Sequence, residues 1–173
     1  FIAMEYVDGK DLRSILNASR ERQLAMPMGL ALLVASRLAS ALDHAHRQKD
    51  FEGRQLGLVH RDVSPQNVLI SFEGDIKLCD FGIVKAVTKA SKTQMGALKG
   101  KLQYMSPEQA AGGPLDARSD IFSLGVILYE MIAGRRPIAG NPDMPSMDEV
   151  RRADIVPLRF ISSRVTPRLE KVV

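Results

Sequence analysis

The sequence predicts an α+β fold, mainly helical, with one small β-hairpin. Three observations carry that expectation. Leu30, Val34, Leu38 and Leu42 recur every fourth residue, as one buried stripe of a helix does. VLISF at 68–72 and IKLC at 76–79 flank Glu73-Gly74-Asp75, a strand-turn-strand pattern. IFSLGVILYEMIA at 121–133 is apolar nearly all round, which places that helix at the centre of a core.

The elements follow in order. FIAMEYV at 1–7 reads as an apolar strand already in progress, so the chain is expected to be a piece of a longer protein. Asp8-Gly9 signals a turn, and Leu12, Ile15 and Leu16 then fall at helical spacing. Pro27 suits the first turn of a second helix running to about His46. The polar stretch RQKDFEGRQ leads into LGLVHRDVSPQN, where Pro65 and its polar neighbours indicate an ordered loop. Antiparallel pairing of the hairpin brings Asn67 and Asp80 together although thirteen positions separate them, and their oxygens suit magnesium. About twenty residues after Gly82 show no clear period, and Asp120 opens the apolar helix, expected at about 119–133. Pro137, Pro142, Pro145, Pro157 and Pro167 leave room only for short helices, around 148–153 and after Pro167.

Composition narrows the function classes. With 173 residues, 45% apolar and 25% charged, the chain forms one domain or a large part of one and is not disordered. Lys plus Arg minus Asp plus Glu gives 24 − 20 = +4, an excess that fits phosphate-bearing ligands without pointing to nucleic acid. Cys79 is the single cysteine, which excludes an internal disulfide and a cysteine-built zinc cluster and fits a reducing, cytoplasmic setting. The longest apolar stretch falls short of the ~20 residues that span a bilayer, so no membrane segment is expected in this chain.

His60-Arg61-Asp62, Asn67, Asp80-Phe81-Gly82 and Ser106-Pro107-Glu108 occur in that order around the hairpin, followed by DIFSLGVILYE at 120–130. Any one of these alone reads as a turn cap, an Asx turn or a strand end. Together they resemble the protein kinase family, of the serine/threonine type and similar to bacterial kinases of the eukaryotic kind. The resemblance implies the mainly helical C-terminal lobe of the kinase fold, with hinge 4–8, catalytic loop 60–67 and activation segment 80–108. It implies transfer of the ATP γ-phosphate to serine or threonine hydroxyls of protein substrates. Asp62 then takes or orients the hydroxyl proton, and Asn67 and Asp80 hold magnesium. The backbone of Glu5 and Val7 would meet the adenine and Leu69 would form its floor. His60 and Phe81 pack in the column linking the lobes, Asp120 supports the catalytic loop, and Glu108 pairs with an Arg expected beyond Val173, leaving Glu108 unpaired here.

Departures from the family pattern set further expectations. The 173 residues contain no Gly-x-Gly-x-x-Gly, and losing one preorganised donor to developing charge costs on the order of 3 kcal/mol, so this chain by itself is expected to be inactive. The alternative is a noncatalytic binding or scaffolding module. Ser64 stands where serine/threonine kinases usually have Lys, and Lys101 stands where they have Thr. Either Lys101 supplies the cation that Ser64 lacks, or it is a solvated lysine. Between Gly82 and Ser106 five lysines occur with no acid. Phosphate on Thr93 would draw them and Arg61 together, or the segment is simply a solvated basic loop.

Overall fold

The computed structural model describes residues 4–81, 102–137 and 146–173. Its centre is two long helices, α2 (Met28–His46) packed against a C-terminal helix at Ala117–Ala133. Between them lies one core that includes Leu38, Leu42, Ile127 and Met131.

Among the described residues every helix except α2, which follows Pro27 without a side-chain cap, starts where the sequence supplies one. Asp11 Oδ1 accepts from Ser14 N at 2.9 Å and opens α1 (Leu12–Glu21), whose Leu12 and Leu16 face the core. Ser106 caps α3 (Pro107–Ala110), and Asp116 caps α4 (Ala117–Ala133) through the backbone N–H of Arg118 at 2.9 Å. Gly134 closes α4 in the left-handed conformation, φ 68°, which glycine adopts without strain. Ser146 and Glu149 form a reciprocal capping box on α5 (Met147–Arg152), and Thr166 caps α6 (Pro167–Glu170). Single 3-10 turns occupy Pro65–Asn67 and Leu158–Phe160.

The hairpin forms as expected, and a third strand joins it. β1 (Gly9–Asp11), β2 (Val68–Ser71) and β3 (Ile76–Leu78) make an antiparallel sheet in the order β1-β2-β3. Val68 pairs with Leu78 and Gly9 with Ser71. The strand expected at 1–7 is corrected here, since residues 4–8 lie in no regular element and the ladder begins at Gly9. At Gly9 two backbones approach closely. A Cβ on residue 9 would sit 2.0 Å from the Ile70 carbonyl oxygen, so only glycine permits this register. The glycine that reads as a turn is a strand contact.

Two other expectations shift. Leu30 is 53% exposed, and the buried face of α2 runs through Ala31, Val34, Ala35, Leu38, Leu42 and Ala45. A strict four-residue spacing drifts around a helix of 3.6 residues per turn, so the stripe bends toward the small alanines where α4 approaches. α4 begins two residues earlier than 119, and Asp116 rather than Asp120 is its cap. Among the described residues no helix is long and apolar enough to cross a membrane. Gly82, Thr93 and Lys101 lie outside the described residues.

The helix pair should dominate stability. Ile127 is fully buried and Ile121, on the same helix, is 51% exposed. In urea unfolding Ile127→Ala should lose about 2–5 kcal/mol, while Ile121→Ala should stay within about 0.5 kcal/mol of the parent.

Candidate active site

The loop at 58–67 has no regular ladder of its own, so its backbone donors need partners from elsewhere. Asp120, 1% exposed in the first turn of α4, provides them. Its Oδ2 accepts from the backbone N–H of His60 at 2.8 Å and its Oδ1 from that of Arg61 at 2.8 Å. His46, at the end of α2, sets its Nε2 2.8 Å from the same Oδ2. Three donors therefore compensate one buried carboxylate, which the N-terminal end of the helix dipole also favours. With Arg61 fixed at φ 65°, the chain turns sharply into Asp62. From the far side, Gln109 Nε2 donates to the Arg61 carbonyl at 2.7 Å.

His60 ties this loop to the strand that precedes Asp80. Its ring is fully buried, with Nε2 2.9 Å from the Cys79 carbonyl and Nδ1 3.3 Å from the Asp62 backbone N–H. Only one neutral tautomer satisfies both contacts, with the proton on Nε2. The ring of Phe81 lies 4.5 Å from that of His60, centroid to centroid, at 56°. His60 and Phe81 thus pack against each other, and both ring nitrogens of His60 are engaged.

Asn67 joins the two ends of the hairpin. Its Nδ2 donates to the Asp62 carbonyl at 2.7 Å, and its own carbonyl accepts the Cys79 N–H at 2.9 Å. The pairing of Val68 with Leu78 sets Asn67 opposite Cys79, so Asp80 follows one residue beyond and turns at φ 60°. Because Nδ2 is spent on Asp62, the Asn67 amide presents its oxygen on the opposite edge. An amide oxygen and a carboxylate are hard donors that fit magnesium, whose remaining positions water and phosphate fill. Among the described residues no group of three or more His, Cys, Asp or Glu gathers around a point. Burial, and then the neighbouring Asp80 carboxylate, push the Cys79 thiol above its ordinary value. It therefore stays protonated and inert at neutral pH.

Glu5 and Val7 precede β1, and Leu69 lies in the central strand β2. Val68, Ile70, Ile76 and Leu78 turn toward the core, leaving Leu69 and its register partner Lys77 on the opposite face. Lys77 Nζ reaches Glu5 on that face, and this hydrogen bond raises the ammonium above its ordinary value. Glu108 has a partner, contrary to expectation. Ser119 Oγ donates to its Oε1 at 2.5 Å, directly before Asp120 in sequence. Burial opposes ionisation of Glu108, but the Ser119 bond, its own backbone and Ser106 outweigh it and hold the carboxyl below the usual range. His46 and Gln109 were not expected at the site. Neither carries a local signal, since their contacts span 74 and 48 positions.

Comparison with known proteins agrees with this geometry. The model of the protein kinase domain family matches residues 1–171. Tyrosine-protein kinase MasK of Myxococcus xanthus is 36% identical over 172 residues, covering 99% of this chain and 27% of that protein. Serine/threonine-protein kinase PknL of Mycobacterium tuberculosis is 38% identical over 173 residues, covering 100% of this chain and 40% of its own length. Serine/threonine-protein kinase PknA of Corynebacterium glutamicum is 45% identical over 141 residues, 82% of this chain and 28% of that protein. The chain thus spans less than half the length of these curated relatives. With the loop, the hairpin and Asp120 arranged as described and the family model matching nearly end to end, the chain belongs to the protein kinase family.

Proposed function

We propose that this lobe serves a kinase that moves the γ-phosphate of ATP onto serine or threonine hydroxyls of protein substrates. The observation that carries the reading is Asn67, bonded to the Asp62 carbonyl through its side chain and to Cys79 through its backbone. That one residue brings the loop of Asp62 and the strand end of Asp80 to a common place. Magnesium-ATP, when bound, supplies the transferable phosphoryl group and the cationic charge that neutralises it. Asp62 orients the acceptor hydroxyl and takes its proton, while the Asn67 amide oxygen and the Asp80 carboxylate hold the metal. The backbone of Glu5 and Val7 meets the adenine, and Leu69 supports it from below.

Asp120 acts through the backbone of His60 and Arg61 and is a positioning residue. The 173 residues alone bind and orient without closing over the phosphates, and a noncatalytic scaffold remains the competing function. The Ser64 side chain is a neutral hydroxyl, so it offers no cation to the transferring phosphate. Lys101 from the activation segment is our proposed source of that charge, and Thr93 our proposed phosphosite. A single cysteine and the use of ATP fit a cytoplasmic lobe.

Three outcomes test this in the full-length kinase. Asp62→Asn should lower kcat by roughly 10²–10⁴, while intact-mass analysis shows ATP-dependent phosphate on the parent enzyme; a parent that binds ATP without transferring phosphate would establish the scaffold. A panel of peptides differing only in Ser, Thr or Tyr as acceptor should be phosphorylated on Ser and Thr, and turnover confined to Tyr would overturn the substrate class. Asp120→Asn puts an amide N–H against backbone donors, so kcat should fall at least about tenfold with KM for ATP within about twofold, alongside about 1–3 kcal/mol of lost stability in urea.

A further inference from the structure

We propose that Gln109 is a positioning residue for Asp62, fixing the peptide unit between Arg61 and Asp62 from the side of α3; this rests on the kinase reading above. Its Nε2 donates to the Arg61 carbonyl at 2.7 Å. That carbonyl and the Asp62 N–H belong to one planar peptide unit. The N–H faces His60 Nδ1 at 3.3 Å, so the unit is gripped on both sides, and the Gln109 contact is the shorter one. The groups to either side are held as well, the Arg61 N–H by Asp120 Oδ1 at 2.8 Å and the Asp62 carbonyl by Asn67 Nδ2 at 2.7 Å. All four backbone polar groups of Arg61 and Asp62 thus meet a side chain, each from a different residue. Without Gln109 the peptide unit can rotate between its two anchored neighbours, changing ψ of Arg61 and φ of Asp62 and re-aiming the Asp62 side chain. Resistance to that rotation matters because Arg61 sits at φ 65°, a conformation that strains a non-glycine residue and persists only where its surroundings hold it.

Gln109 is itself firmly placed. It is half-buried, and its backbone N–H bonds to Ser106 Oγ at 3.3 Å. Glu108, just before it, accepts from Ser119 of α4 at 2.5 Å, and the carbonyl of Ala110, just after it, accepts from Arg151 Nε of α5 at 3.1 Å. Both sequence neighbours of Gln109 are therefore tied to other helices, and its side chain crosses from that fixed turn to the loop of Asp62. Asp120 reaches the same loop from α4, so two separate elements clamp Arg61, one by its N–H and one by its carbonyl. An amide suits the position. It donates to a carbonyl while staying neutral at every working pH, whereas a Lys or Arg would bring a cation that competes for the Asp62 carboxylate. Met has similar length and no donor, and an ionised Glu has the same shape and only acceptors.

The test compares the full-length kinase with its Gln109→Met variant in three measurements: steady-state kinetics on a serine peptide, hydrogen exchange at the Asp62 amide, and the urea midpoint. In the variant kcat should fall roughly five- to tenfold, with KM for ATP and for the peptide within about twofold of the parent. The Asp62 amide should exchange about tenfold faster while the urea midpoint stays at the parental value. If Gln109→Met does not fold, Gln109→Glu at pH 8 reads the same quantities. A kcat within twofold of the parent overturns the proposal. So does a lowered kcat with parental exchange at Asp62, or one that follows a fall in the urea midpoint, since either makes Gln109 an ordinary structural contact. Faster exchange at Asp62 in a kinase whose parent form transfers no phosphate would instead overturn the kinase reading and leave the clamp on the peptide unit standing.

Discussion

A carboxylate held out of water at the start of α4 sets the shape of the loop that follows α2. Asp120 accepts two backbone N–H groups from consecutive residues, His60 and Arg61, and a third contact from His46. Consecutive donors aimed at one carboxylate force the loop into a curve, and the left-handed conformation of Arg61 is the residue-level expression of it. Without that acceptor the same amides would need water, which the packed helices around them exclude. The rigidity of the helix pair is thus transmitted to a loop with no regular structure.

From that anchor the arrangement is a series of backbone ties. His60 takes the Asp62 amide and gives its own proton to the Cys79 carbonyl, and Asn67 repeats the connection through Asp62 and Cys79. Each tie uses one side chain to fix the backbone of the residue next to a functional one. Together these ties fix the main chain around Asp62, Asn67 and Asp80.

Much of this was legible in the sequence where the signal is local. The hairpin declared itself through Glu73-Gly74-Asp75 between apolar runs, and α4 through an unbroken apolar surface. The proximity of Asn67 and Asp80 followed from the hairpin alone. What was not legible depends on distant partners. β1 exists because Gly9 allows the Ile70 backbone to come close, a fact about residue 70 that residue 9 does not advertise. His46 and Gln109 look like ordinary helix residues until the fold sets them against Asp120 and Arg61. Ser119 takes the place beside Glu108 that was expected to be empty. Leu30 failed for a geometric reason, the drift of a four-residue spacing around the helix.

Ten positions apart on α4, two buried carboxylates are stabilised in opposite ways. Asp120 is met by amide dipoles and one imidazole, groups of modest charge that match its demand and leave little field outside the site. Glu130 is met by three guanidinium groups and a phenol. A balanced site has nothing further to attract, and its consequence is geometric order in the loop. Ion pairing at Glu130 instead gathers α1, Tyr104 and the end of α4 into one network. Because both sit on one helix, the loop that Asp120 orders and the arginines that Glu130 gathers are held at a constant separation.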